Sequence, residues 1–199
     1  YMASGRFMDE QVGRLLNALD RLDLRKETIV IFMSDHGYNL GEHDCWSKSS
    51  LWEGSIRVPL IFSVPDKEYE KAYGSRSENI TELLDIYPTL VDLTGLSSEK
   101  PAILQGRSLL PQLKGDGKGT EENVAYTIYN DGASLRTDKW RYTRWGDLAL
   151  GDNEELYDHS TDPEENINLV GKKDHVAVLE RMRKKLEETR NKAQSSLNK

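Results

Sequence analysis

Between Phe7 and Leu22 the apolar residues Met8, Val12, Leu15, Leu16, Leu19 and Leu22 recur at spacings of three and four. That spacing predicts an amphipathic helix, since one turn takes 3.6 residues. A polar turn at 23–27 ends it, and TIVIFM at 28–33 follows as an unbroken, β-branched run. Such a run predicts a buried strand, of a parallel sheet where helices cover both faces. A second apolar strand is predicted at 58–64, and an exposed polar connector at 66–77. Residues 85–95 read as a short helix, with Pro88 in its first turn and Gly95 as its C-terminal cap.

Past residue 95 the pattern changes. Gly, Pro, Ser and Lys crowd residues 96–122, which predicts a long irregular connection. Short alternating runs at 124–129, 134–136, 140–145 and 155–157 predict antiparallel strands, the second and third joined by a turn at Thr137-Asp138-Lys139. Thr161-Asp162-Pro163-Glu164 has the form of a helix start. Residues 174–192 read as a charged helix with Val178, Met182 and Leu186 along one side. The order predicts an α/β fold in three parts: an α/β portion at 1–95, a connector at 96–122 and a small antiparallel sheet with a C-terminal helix at 123–199. Two strands cannot bury helices on both faces of a sheet, so 1–95 is expected to be the closing part of a larger α/β domain.

The loop after the first strand, SDHGYNLGEHDCWSK at 34–48, concentrates reactive side chains. In open α/β sheets ligands sit beyond the carboxyl ends of strands, where Asp35 and His36 fall. A carboxylate beside an imidazole can face one cation, and Gly37 would allow the sharp exit that such a turn needs. A lysine twelve residues on, Lys48, can reach over that pair and stabilise charge on an anionic group or its leaving oxygen. The bland reading is a polar turn with a solvated lysine.

Composition narrows the classes. The chain is 37% apolar and 31% charged, with no stretch long enough to span a membrane. A formal charge of −7 argues against general nucleic-acid binding, which needs clustered Lys and Arg. One cysteine excludes an internal disulfide framework and leaves the compartment open. Arg136, Lys139, Arg141 and Arg144, interleaved with Trp140, Tyr142 and Trp145, could hold an anionic sugar. The plainer expectation is aromatics inward and basic residues outward on a half-exposed strand pair.

The run SDHGYNLGEHDCWSKSSLWEGSIRVPLIF resembles the sulfatase family of the alkaline phosphatase superfamily, and within it the iduronate-2-sulfatase-like branch. FMDEQVGRLLNALDRL, TELLDIYPTLVDLTGL, GRSLLPQLKG, SLRTDKWRYTRW and ELYDHSTDPEENINLV extend the likeness, in order, along nearly the whole chain. The resemblance implies the C-terminal part of an alkaline-phosphatase-like α/β sandwich domain, followed by the small sheet subdomain. It implies that Asp35 and His36 bind a divalent cation, calcium by family habit with magnesium or manganese as alternatives. It implies that Lys48 contacts the sulfate and assists the leaving oxygen, and that His43 and Tyr38 lie near the substrate. The family's nucleophile is a formylglycine made from the cysteine of a Cys-x-Pro-Ser-Arg type motif. Cys45 is followed by Trp46-Ser47-Lys48 and does not match, so the nucleophile is expected on a preceding N-terminal portion, along with an Asp-Asp pair of metal ligands. The implied substrate is a sulfated carbohydrate or small sulfate ester, and the implied setting is exported, whether periplasmic, extracellular or lysosomal. Without that portion the chain is expected to be inactive. The alternatives are a phosphodiesterase or phosphonate monoester hydrolase of the same superfamily, and a non-catalytic module that binds anionic sugars.

Overall fold

In a computed structural model, which describes residues 1–96, 104–115, 123–146 and 153–197, the first apolar stripe becomes helix α1, Met2–Arg21. The helix closes where Asp23 turns left-handed at φ 54° and the Leu24 N–H donates back to the Leu19 carbonyl at 2.9 Å. None of its residues is buried: Val12, Leu16 and Leu19 are half-covered, while Phe7 and Leu15 stand 65% and 70% exposed.

Strand β1, Val30–Met33, forms where the β-branched run predicts it, but its pairing differs from the expectation. It pairs antiparallel with β4, Leu60–Ser63, in the register Val30↔Ser63 to Met33↔Leu60. An unbroken apolar run reports covered faces and says nothing about strand direction. A parallel return needs a crossover of a dozen or more residues, usually helical. Here the chain comes back through the two-residue strands β2, Asn39–Leu40, and β3, Trp46–Ser47, and the single turn α2, Glu53–Ile56. Nor is β1 fully buried, as Met33 remains 46% exposed.

Segment 66–77 is more ordered than an exposed connector. Asp66 accepts the Glu68 N–H at 2.9 Å and opens a 3-10 helix, Lys67–Ala72. Tyr69 of that helix is buried, and the Tyr73 hydroxyl donates to the Val64 carbonyl at 2.9 Å. Helix α3, Ile86–Leu93, follows with Pro88 in its first turn and Gly95 at φ +73° just past its end. Of the irregular connection at 96–122, residues 97–103 and 116–122 lie outside the described residues. The intervening segment contains α4, Leu110–Leu113, and is tied to α3 through buried Asp85, whose carboxylate accepts the Arg107 N–H at 2.8 Å.

The core sits in the last third. Strands β5 (Ala125–Tyr129), β6 (Gly132–Arg136), β7 (Trp140–Arg144) and β8 (Glu154–Asp158) form one antiparallel sheet in sequence order. The Thr137–Lys139 turn is closed by the Thr137 N–H donating to the Trp140 carbonyl at 2.8 Å. Helix α5, Val176–Leu197, lays Leu179, Met182 and Leu186 on Leu135, Trp140, Tyr142 and Leu156. Each such side chain contributes roughly 1.5–3 kcal/mol by leaving water.

Two expectations fail in this sheet. Arg141, expected outward, is 1% exposed, because β7 is covered on both faces: α5 meets Tyr142 and α2 meets Arg141. The turn at 161–164 starts no helix. Its Asp162 carboxylate accepts the N–H groups of Asn166 and Ile167 at 3.1 and 2.8 Å, folding the chain back at Glu165, which is left-handed at φ 63°.

Candidate active site

The end of β1 delivers Ser34, Asp35 and His36 into a tight turn. The Ser34 hydroxyl donates to the His36 carbonyl at 2.7 Å, and the Asp35 Oδ1 accepts the His36 N–H at 3.1 Å. His36 Nδ1 lies 2.8 Å from the Gly37 carbonyl, which can only accept. That bond places the imidazole proton on Nδ1 and leaves the Nε2 lone pair free to bind. Asp35 Oδ2 is 3.6 Å from Nε2, and Lys48 Nζ is 2.9 Å from it, in position to donate to that lone pair. Asp35, His36 and Lys48 thus meet at one point.

Gly37 is required for a different reason than the sharp exit suggested by the sequence. Its φ is not left-handed; a Cβ there would lie 2.1 Å from the Gly54 carbonyl oxygen. The two backbones touch through the Gly37 N–H donating to Ser55 O at 2.7 Å and the Tyr38 N–H to Gly54 O at 2.9 Å. Beneath them Asn39, 1% exposed, donates to the hydroxyls of Ser50 and Ser55 at 3.2 and 2.8 Å. On the way to Lys48 the backbone is left-handed at His43, Asp44 and Ser47, and again at Ser49, with φ from 53° to 92°. Non-glycine residues held this way cluster where surrounding contacts over-determine a functional loop.

Asp35, His36 and Lys48 open onto a broad cleft. One wall carries Arg57; the other belongs to the small sheet and carries Tyr126 and Arg136. At its floor, buried Arg141 bridges the carboxylates of Glu53 and Glu165, each through a short ion pair. His159 Nε2 lies 2.7 Å from Glu165, and Arg136 Nε lies 3.7 Å from Glu53. Burial opposes ionisation of Glu165, but His159 and the Arg141 charge outweigh it and hold the carboxyl below the usual glutamate range. Glu53, His159 and Glu165 could be mistaken for a cation site; the Arg141 guanidinium already supplies the countercharge there.

The other two candidates lie elsewhere. His43 stacks on Trp52 with ring centroids 4.3 Å apart, its Nε2 3.1 Å from the Glu164 carbonyl. Tyr38 is 43% exposed and leans on Tyr1 at 5.6 Å. Neither lines the cleft. Cys45 is a half-buried free thiol. Arg136 and Arg141, named from the sequence as candidates for an anionic sugar, line the cleft, whereas the pairing of Glu53 with Arg141 and Glu165 was not legible, since it is long-range. The one local hint was the acidic pair Glu164-Glu165 after a proline.

Residues 1–96 match the family model described as Sulfatase. Over 95% of this chain the sequence is 35% identical to the N-acetylglucosamine-6-O-sulfatase of Bacteroides thetaiotaomicron, and over 80% it is 31% identical to human iduronate 2-sulfatase. The chain spans 35% and 43% of those two proteins' lengths. Among solved structures, one holding its substrate D-glucosamine-2-N,6-O-disulfate superposes with a TM-score of 0.76 at 28% identity, covering 94% of this chain and 39% of that one. The phosphonate monoester hydrolase of Agrobacterium radiobacter superposes with a TM-score of 0.79 at 27% identity, covering 93% and 39%. Such neighbours share the alkaline-phosphatase-like fold and are matched over their C-terminal parts. This chain belongs to the sulfatase family.

Proposed function

We propose that the chain is the C-terminal part of an enzyme hydrolysing sulfate esters of sulfated sugars, with Asp35, His36 and Lys48 as its share of the active site. The observation that carries this is the convergence of the three: Asp35 Oδ2 and Lys48 Nζ at 3.6 and 2.9 Å from His36 Nε2. The Nε2 lone pair and the exposed Asp35 carboxylate suit two donors to a divalent cation such as calcium, within the six to eight oxygens or nitrogens that a complete shell needs. A bound cation would act as a Lewis acid toward the sulfuryl oxygens. Lys48 binds a sulfate oxygen and stabilises the negative charge that develops on the leaving oxygen. His36 keeps its proton on Nδ1, bonded to Gly37, and so does not compete as an acid. Nε2 has a single lone pair, so a cation there would displace the Lys48 contact and leave that ammonium to turn to a sulfate oxygen.

The nucleophile in this reading is a formylglycine, and none of the 199 residues supplies its motif. It belongs to an N-terminal portion with which this chain forms the complete site; an exported setting goes with that reading. His43 and Tyr38 do not line the cleft and carry no role in this reading. A phosphonate monoester hydrolase is the second reading, favoured by the structural likeness to such an enzyme.

The coding sequence upstream of Tyr1 and one assay test the proposal together. A Cys-x-Pro-Ser-Arg type motif upstream, and turnover by the intact protein of a glucosamine 6-sulfate in preference to a phosphonate monoester, is the expected result. Lys48→Ala should then lower kcat about 100-fold or more. Turnover of the phosphonate alone, or an intact protein lacking any such motif, would overturn it.

A further inference from the structure

Glu165 combines three costs that an ordinary turn residue avoids. It is charged and 1% exposed, its backbone is left-handed at φ 63°, and its carboxylate is divided between partners on two different elements. Oε1 takes the Arg141 guanidinium from β7 and faces His159 at 2.7 Å. Oε2 accepts the backbone N–H of Glu53, the first residue of α2, at 2.7 Å. The Glu53 side chain then closes the ring by pairing with Arg141. A buried, left-handed acid persists only where its surroundings over-determine it.

What the ring holds is α2, and what α2 holds is the site. The carbonyls of Gly54 and Ser55 accept the N–H groups of Tyr38 and Gly37, and the Gly37 carbonyl in turn accepts the His36 Nδ1–H. Two further ties run the same way: the Glu164 carbonyl to His43, and Glu155 to the Trp52 indole N–H at 3.1 Å. We propose that Glu165 is a positioning residue of the candidate site, acting through Glu53 and α2 on Gly37 and His36, so that the turn after β8 sets the geometry of the β1 exit. The site part of this statement rests on the proposed function; the mechanical link does not.

Amide hydrogen exchange on the intact protein reads the link without any turnover. In Glu165→Gln the amides of Gly37 and Tyr38 should exchange about tenfold faster than in the parent, while those of the β6–β7 ladder stay within about threefold. Leu186→Ala, which weakens the same sheet from its other face, should do the reverse. Arg141→Lys keeps a cation in the ring and should give a smaller acceleration at the same two amides. Unchanged exchange at Gly37 and Tyr38 in Glu165→Gln would overturn the proposal. So would an absence of protection there in the parent, or uniform loss in both ring variants, since the ring would then brace the whole fold and not this loop. Any of these failures leaves the sulfatase reading standing, because that is decided by ester turnover.

Discussion

His36 owes its availability to one neighbouring carbonyl. With Nδ1 committed to Gly37 O, the ring presents a lone pair at Nε2, next to an aspartate and under a lysine. That arrangement depends in turn on Gly37 having no side chain, since a Cβ would meet Gly54 O at 2.1 Å. Gly37→Ala should cost about 1–3 kcal/mol in urea unfolding, through the two backbone bonds it forces apart. The pattern at 34–48 announced Asp35, His36 and Lys48, because reactive residue types close in sequence stay close in space. The ring of Glu165, Arg141 and Glu53 was invisible for the opposite reason: the meetings of Glu165 and Arg141 with Glu53 span 112 and 88 residues.

At the scale of elements, periodicity found α1, α3, α5 and six strands, but not the short α2, α4, β2 and β3, and it misjudged what some of them touch. The TIVIFM run gave a strand, yet β1 runs antiparallel to β4 because the return path is too short for a crossover helix. The basic and aromatic alternation of WRYTRW gave β7, but with both faces covered, so that Arg141 is as buried as Tyr142. Strand alternation separates two faces; it does not say that one of them is wet. The α5 stripe was read correctly, since Met182 and Leu186 do lie against the sheet. Met182→Ala should cost about 2–5 kcal/mol in the same unfolding experiment, well above the effect of any change on the exposed face of α5.

Across the whole molecule, buried carboxylates set how stability follows pH. The Arg183 guanidinium, with further help from the Tyr142 hydroxyl, holds Glu154 below the usual glutamate range despite burial. A carboxyl lowered on folding binds fewer protons in the native state, so its contribution is complete above about pH 4.3, the ordinary glutamate value, and fades as pH falls below it. Melting temperatures taken between about pH 6 and pH 3 should therefore fall less steeply for Glu154→Gln than for the parent. Desolvation raises Glu82 and Glu155 instead, so these two oppose stability as pH rises past their raised values. Glu155→Gln should gain on the parent toward neutral pH, although its bonds to Trp52 and Trp145 limit the gain.

Helix α1 carries no buried residue, and each strand of the β1–β4 pair has one edge without a partner strand among the described residues. Phe7, Leu15 and Ile61 are more than half exposed, so these elements show apolar surface that the well-packed C-terminal sheet does not cover. Produced alone, such a chain is a colloid problem before it is a biochemical one. Open strand edges and apolar patches invite like molecules to add on, and a net charge of −7 resists this only until salt screens it. Its shelf life in a tube therefore shortens as ionic strength rises, and a dilute buffer keeps it clear longest.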